Sequence, residues 1–220
     1  MKSCMVFLSL IFAFAASLLL SPLRADGDFD DGQNLSGEYL DPDFVEILPL
    51  YLIEEAGASS TLKSQGKNTY GVENLFDMNA ATCWVEGVKG YGKGEWVEIG
   101  FLYPIHLTAV GFANGYQKSK KVYNENSDIH EMKVTVWYDS ESGGGNESFI
   151  YIFTKPGYCQ EDIYIKYNDL IRLADYLSTC GIRKIRFTIL DVYPGEKYDD
   201  TCISEIVLYG GLSAGGDSAP

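Results

Sequence analysis

Apolar and polar residues alternate along much of the chain from about residue 56 onward, a pattern typical of half-buried β-strands. Clusters of glycine, asparagine and proline separate the alternating segments and indicate turns. Many short strands with few intervening helices predict an all-β fold, specifically a β-sandwich. The clearest predicted strands are Trp96–Tyr103, Leu107–Ala113, Glu131–Tyr138, Ser148–Phe153, Lys184–Leu190 and Glu205–Tyr209.

One segment, Asp169–Thr179, departs from this pattern. Its apolar residues follow helical spacing, Asn168 is a suitable N-cap, and Gly181 is a suitable stop. The pattern predicts one short helix there. The apolar positions are Leu170, Ile171, Leu173, Ala174 and Leu177.

The three tryptophans are predicted to lie in the core. Trp96 and Trp137 occur in alternating strands, and Trp84 follows Cys83.

The N-terminus carries the features of a secretory signal peptide. Lys2 provides a basic start, Met5–Leu20 is an apolar run, and Pro22 and Ala25 precede an acidic stretch. We therefore predict a signal peptide at residues 1–25, and a secreted, periplasmic or cell-surface location. An uncleaved membrane anchor is the alternative that the length of the run leaves open.

The chain after the signal divides by composition into three parts. Residues 26–55 are predicted to be an acidic leader, although Phe44 to Ile53 is apolar enough for an edge strand or a helical turn. Residues 56–210 form the predicted sandwich domain. Residues 211–220 are small and polar, as in a flexible tail.

The acidic balance restricts the possible partners. The formal net charge is −14, from 31 Asp and Glu against 17 Lys and Arg. Such a chain repels nucleic acid phosphates and anionic membranes, so neither is an expected partner.

The sequence also lacks an arrangement typical of an enzyme. The two histidines, His106 and His130, belong to no HExxH or Ser-His-Asp pattern. Glu95 and Glu98 have odd spacing on a strand, so they face opposite sides, unlike paired catalytic acids. A non-catalytic protein is expected.

Two end motifs resemble a known family. The stretch ASSTLKSQGKNTYGVENLFDMNAATCWVEG at 58–87 resembles the opening of a discoidin-like (coagulation factor V/VIII C-type) domain, in the form found in streptococcal NAD-glycohydrolase toxins. There it is described as a glycan-binding domain. The stretch IRKIRFTILDVYPGEKYDDTCISEIVLYG at 182–210 resembles its closing motif. The resemblance covers about residues 56–210 and implies a galactose-binding-like jelly-roll sandwich and a bacterial source. The toxins' catalytic part lies in a separate domain.

The resemblance also implies a structural calcium ion. Related carbohydrate-binding modules take its ligands from a D-x-N-x-x-T loop and a glutamate on the last strand. The matching residues here are Asp77, Asn79, Thr82 and Glu205. Oxygen ligands of this kind suit calcium. Met78 stands where the family usually has glycine, and a simple Asx-turn with a plain Glu205 hydrogen bond is the alternative.

Four cysteines remain after the signal peptide, and without a CxxC pair they do not indicate a zinc site. Four cysteines allow three pairings, and the sequence does not choose among them. Cys83 and Cys202 each lie in an end motif and are the first candidates for a disulfide. Two free, buried thiols are the equal alternative.

Loop residues suited to sugar are the candidate ligand site. Sugars are bound by aromatic faces and planar polar side chains, and many of the 16 tyrosines lie in loops. These residues predict a binding module for a glycan or glycoprotein. Asp128, where relatives often carry arginine, argues against acidic sugars. The rival hypothesis is a protein–protein module with a toxin, receptor or matrix partner. The candidate ligand residues are Tyr91, Asn114, Tyr116, Lys118, Tyr123, Asn124 and Tyr193.

Overall fold

The structure is a computed structural model that describes residues 46–140, 143–154, 157–158, 169–173, 177 and 180–212. The predicted signal peptide lies outside the described residues, as do residues 26–45 of the predicted leader. No helix in the described part is long and apolar enough to cross a membrane. The strands are β1 Ile53–Ala58, β2 Trp84–Val85, β3 Trp96–Asn114, β4 Asp128–Asp139, β5 Gly145–Ile152, β6 Asp169–Arg172, β7 Gly181–Tyr193 and β8 Cys202–Leu212.

The long strand β3 joins the two layers of the fold. Its first part, Trp96–Gly100, pairs with β1 and β7, and its second part, Ile105–Asn114, pairs with β8 and β6. The register shifts between Gly100 and Ile105, where the strand passes from one layer to the other. The hydrogen-bonded order is β2-β8-β3-β7-β4-β5, and the described strands pair antiparallel with one another. The predicted all-β sandwich is confirmed.

The core lies between the layers because alternate residues of each strand point inward. Phe112 of β3 is fully buried and meets Phe187 of β7 and Phe153 edge-to-face, with ring centroids 5.0 and 5.7 Å apart. Trp84 is fully buried as predicted, and its indole Nε1 donates to the Ser60 carbonyl at 3.1 Å. These inward-facing residues are the apolar positions of the alternating pattern from which the strands were predicted.

The chain joins the sandwich before residue 56. Leu48 and Leu52 are buried in the core, and Leu50–Leu52 forms a 3-10 turn that leads into β1. The backbone N–H of Leu48 also donates to the Leu208 carbonyl at 2.8 Å. The described part of the apolar segment, residues 46–53, therefore contains a 3-10 turn that leads into β1.

The helix prediction is wrong for its first residues. Asp169–Arg172 is strand β6, with Leu170 opposite Gly111 and Ile171 opposite Val110. Ile171 and Leu173 are buried and Arg172 between them is exposed, so the same apolar residues also satisfy a period of two. Residues 174–176 and 178–179 lie outside the described residues.

The described short helix, α1, is Lys120–Glu125. It begins after Ser119, whose side chain accepts the Val122 N–H at 3.2 Å as an N-cap.

The expectation that Trp96 and Trp137 lie in the core is also wrong. Val97 and Val136 point inward and are buried, so the neighbouring tryptophans point to the outer face, where both are partly exposed. The Arg186 guanidinium carbon lies 4.2 Å from the centre of the Trp96 ring and 5.6 Å from that of Trp137. This cation–π ladder explains how two large rings are held on the outside of the sheet.

Candidate functional site

Two loops are joined at the end of the sandwich where β3 finishes and β8 begins. The first loop, residues 115–127, contains α1, and the second is residues 194–201. Gly115 N donates to the Cys202 carbonyl at 3.0 Å, and Ser127 N donates to the Asp200 carbonyl at 2.9 Å. A Cβ on Gly195 would lie 2.4 Å from the Asn126 carbonyl carbon, so the close approach requires glycine. The backbone contacts make this loop pair one supported surface.

Asn114, a predicted ligand residue, lies at the base of this surface. Its side chain is 1 % exposed. Nδ2 donates to the Ile129 carbonyl at 2.8 Å, and Oδ1 accepts the Ile129 N–H at 2.9 Å. The side-chain amide of Asn114 therefore pairs with the Ile129 backbone as a peptide group of a neighbouring strand would. It joins the end of β3 to the start of β4.

Tyr123 is similarly buried within the loop pair. Its hydroxyl donates to Asp128 Oδ2 at 3.2 Å. Its ring lies under Gly115, where a Cβ would come within 2.6 Å of a ring carbon. Asp128 is also buried, so this acid is used for an internal contact.

Tyr116 packs into a small second core. The cluster consists of Tyr70, Cys83, Val85, Tyr116 and Cys202, all buried. Burial raises the pKa of the Tyr116 hydroxyl above its ordinary value of 10, and the neighbouring thiols add to that shift.

Two of the predicted ligand residues are exposed on the loop surface. Lys118 and Asn124 have exposed side chains. Lys118 Nζ lies 3.5 Å from Asn68 Oδ1 and 6.0 Å from the centre of the Tyr116 ring. Tyr198, which is not in the predicted set, is 41 % exposed on the second loop, and its N–H donates to the Glu125 carbonyl at 2.8 Å. Lys197 Nζ lies 4.6 Å from the centre of its ring. The position of Tyr198 in a predicted turn was the sequence feature that could have identified it as an exposed aromatic residue.

Tyr91 and Tyr193 make contacts elsewhere. The partly buried Tyr91 ring packs on the main core, and its carbonyl accepts the Thr201 hydroxyl at 2.9 Å. The Tyr193 hydroxyl donates to the Phe153 carbonyl at 3.0 Å, and its ring centre lies 4.6 Å from that of His130. The sequence therefore grouped residues that the structure uses in several separate places.

Glu86 is a buried carboxyl group that no sequence pattern singled out. It is fully buried beneath the glycine-rich loop, and it accepts the Val88 N–H at 2.8 Å and the Thr201 N–H at 3.4 Å. A Cβ on Gly92 would lie 2.4 Å from Glu86 Cγ. Burial raises its pKa, because the charged form loses hydration. Glu86 thus supports both the glycine-rich loop and the start of β8.

The loop from Asp77 to Thr82 folds against β8. Asp77 Oδ1 accepts the Asn79 N–H at 2.9 Å, and Asp77 Oδ2 accepts the Thr82 hydroxyl at 2.7 Å. Glu205 Oε1 accepts the same Asn79 N–H at 2.6 Å. The four residues that the resemblance selected are therefore in one place, although 126 residues separate Asn79 from Glu205.

The Asp77 and Glu205 carboxyl groups meet at the edge of this loop. Glu205 is buried, and its burial together with a hydrogen bond to Asp77 raises its pKa to about 8. Two adjoining carboxyl groups need either a shared proton or a cation. In the described part of the chain, no group of three or more His, Cys, Asp and Glu residues is arranged to hold a metal.

Met78 adopts a strained backbone conformation in this loop. Its φ is 57°, the one positive value at a non-glycine residue among the described positions. The family's glycine would adopt this conformation without steric cost.

These features define the class of protein. An antiparallel sandwich with joined loops at one end is the architecture of F5/8 type C, or discoidin-like, domains. The F5/8 type C domain of a Bacteroides fragilis protein matches with a TM-score of 0.50 at 14% identity, covering 78% of this chain and 99% of that one.

The chain belongs to the NAD glycohydrolase translocation F5/8 type C domain family, whose model matches residues 51–209. The predicted resemblance is confirmed. Another similar structure is chitosan-binding module 1 of a chitosanase/glucanase from Paenibacillus sp. IK-5, with a TM-score of 0.45 and 15% identity over 72% of this chain and 96% of that one. No curated protein sequence matches the chain.

Proposed function

We propose that this chain is an exported, non-catalytic binding module that recognises carbohydrate through its loop pair. The observation that carries the proposal is that Lys118, Asn124 and Tyr198 are exposed on the two joined loops. There they present a cation, an amide and an aromatic ring on backbone held by hydrogen bonds. An aromatic face with a few fixed polar groups is the chemistry that sugar recognition requires. The buried Asn114, Tyr116 and Tyr123 support this surface from below.

The proposal includes a structural calcium ion bound by Asp77, Asn79, Thr82 and Glu205. Two adjoining carboxyl groups, one buried, supply the charge, and the loop supplies neutral oxygens. Calcium would tie the loop before β2 to β8 and contribute stability, with no role in chemistry.

A glycan array with the full-length chain, in calcium and in EDTA, tests carbohydrate binding. Binding to one sugar class that is weakened at least tenfold by Lys118→Ala or Tyr198→Ala supports the proposal and locates the site. Lys133→Ala and Tyr51→Ala are matched controls, because both side chains are exposed and lie away from the loop pair. Equal loss in all four variants would contradict the proposed location.

Calcium binding is tested separately by thermal unfolding. Calcium should raise the melting temperature of the wild type, and Asp77→Ala should abolish that increase while Asp199→Ala, an exposed acid outside the loop, keeps it. A melting temperature independent of calcium would rule out the ion.

A protein partner is the second candidate function. It is favoured by six large apolar residues that remain exposed around the end of the sandwich where β3 changes layer. Failure of a cooperatively unfolding protein to bind any glycan on the array would favour this alternative. These residues are Ile47, Leu50, Tyr51, Leu102, Tyr103 and Leu212.

A further inference from the structure

Cys83 and Cys202 come together beneath the loop pair. Strand β2 pairs with β8 so that Val85 lies opposite Cys202 and Trp84 opposite Ile203. Cys83 directly precedes β2, which makes it the diagonal neighbour of Cys202 on the same face of the pair. Both side chains are fully buried and both belong to the cluster around Tyr116. The Cys202 thiol donates to the Asp200 carbonyl at 3.9 Å.

We propose that Cys83 and Cys202 form a disulfide that links the opening motif of the domain to its closing motif. Diagonal neighbours on adjacent antiparallel strands lie about 7–8 Å apart, slightly beyond the roughly 4.4–6.8 Å Cα separation of a disulfide. Closing the bond therefore requires a small backbone movement at Cys83, which directly precedes the two-residue strand β2. Both thiols are free in the structure, and their side chains share one buried cluster with Tyr70, Val85 and Tyr116, against which Leu62 and Val122 pack.

The bond requires a disulfide oxidant, such as oxidised glutathione or a protein disulfide. One cysteine loses its proton, and its thiolate attacks the oxidant, forming a mixed disulfide and releasing one thiol. The second cysteine then loses its proton and attacks the first sulfur, which closes the Cys83–Cys202 bond and releases a second thiol. Two electrons and two protons pass from the cysteine pair to the oxidant.

Burial determines when this exchange takes place. The thiolate is the reactive form, and two fully buried thiols are poor nucleophiles in the folded domain. The bond therefore forms during folding, before β2 and β8 have closed over the two thiols. In the folded domain it then resists reduction, because reductants cannot reach it.

The position of the bond links distant parts of the chain. Cys83 follows the proposed calcium loop, and Cys202 begins the strand that carries Glu205. A covalent link across so long a loop restricts the unfolded chain strongly, so reduction should lower the melting temperature. The cross-link itself is detected by mass spectrometry of the peptides, so this test does not depend on the proposed function.

The test is refolding of the full chain in mixed reduced and oxidised glutathione, followed by alkylation, tryptic digestion under non-reducing conditions and mass spectrometry. Trypsin places Cys83 in the peptide from Asn68 to Lys89 and Cys202 in the peptide from Tyr198 to Pro220, each with no other cysteine. The expected product is these two peptides joined, lacking two thiol hydrogens. Recovery of both as alkylated thiols, or of Cys83 joined to Cys159 or Cys180, would overturn the proposal.

A stability measurement gives a second readout. Reduction in denaturant and refolding without oxidant should lower the melting temperature of the wild type and of the control Cys180→Ser by the same amount. The double variant Cys83→Ser and Cys202→Ser should melt at one temperature in both conditions. The proposal is contradicted if the melting temperature of the wild type is the same before and after reduction and no joined peptides are found. This outcome does not depend on how well the double variant folds.

Discussion

Asn114→Ala tests whether this residue holds the loops or contacts the ligand. The side chain makes two hydrogen bonds with the backbone of Ile129, at 2.8 and 2.9 Å, and both residues are at most 1 % exposed. The alanine variant would leave the Ile129 N–H and carbonyl without these partners in a place that water does not reach. The primary effect should therefore be on stability, with binding changed only through the loops.

The size of the loss follows from those two groups. A buried polar group left unpaired costs about 1–3 kcal/mol, so two groups give about 2–4 kcal/mol once partial relaxation is allowed. In a domain of this size, that loss corresponds to a fall of roughly 5–15 °C in melting temperature.

The assay is urea unfolding of the full chain with wild type, Asn114→Ala and Asn124→Ala. Asn124 is the matched control in the same loop, and its exposed side chain should change the free energy of unfolding by no more than about 0.5 kcal/mol. If Asn114→Ala kept wild-type stability and lost sugar binding, Asn114 would be a ligand residue and the structural argument would be refuted.

Three further changes test other parts of the structure. Burial raises the folded-state pKa of Glu86 above its ordinary 4.5, so the folded protein keeps a proton that the unfolded chain releases. The free energy of unfolding of the wild type should therefore fall, relative to Glu86→Gln, as pH rises above 4.5; a pH-independent difference between the two would contradict this. Met78→Gly removes a strained φ of 57° at an exposed side chain and should stabilise the domain by about 0.5–1 kcal/mol in urea unfolding, and a destabilised variant would show that the strain is absent. Arg186→Ala removes the cation between Trp96 and Trp137 together with its ion pair to Glu98 and should cost about 1–2 kcal/mol with a red-shifted tryptophan emission. Unchanged stability and emission would show that neither interaction contributes.

The strands could be predicted because inward and outward residues alternate in each of them, and the two end motifs indicated the family. Three strands were not predicted. Strand β2 has only two residues and β6 only four, which is too short for a period to be read. Strand β1 carries two exposed acids, and its inward side is only partly buried. Such strands are determined by the neighbours with which they pair.

The outer tryptophans show a second limit of pattern reading. Alternation indicates that Trp96 and Val97 point to opposite faces, but it does not show which face is the core. The structure places the small Val97 inside and pairs the large Trp96 with Arg186, which lies on β7 and is 90 residues away in the chain. Hydrophobicity alone favoured the wrong face because it omits the cation that covers the ring.

The loop residues were the hardest to predict, since the chemistry that binds sugar also builds loops. An amide that can bond a sugar hydroxyl can equally bond a peptide group, as Asn114 does with Ile129. A tyrosine ring that can stack on a sugar can equally fill the space beneath a glycine, as Tyr123 does under Gly115. Only exposure separates the two uses, and exposure depends on how residues 115–127 and 194–201 pack against each other.

The loop from Asp77 to Thr82 differs from the predicted ligand loops, because here the charges of the side chains have to be explained and not their exposure. A buried carboxyl group such as Glu205 is costly unless something neutralises it, and a second carboxyl group at Asp77 increases that cost. Asp77 is exposed, so water hydrates its carboxylate, whereas the buried Glu205 must share a proton with Asp77 or be neutralised by a cation. The calcium prediction therefore depends on whether a proton or a cation neutralises this pair at neutral pH. Thermal unfolding of the wild type and Asp77→Ala, with and without calcium, distinguishes the two.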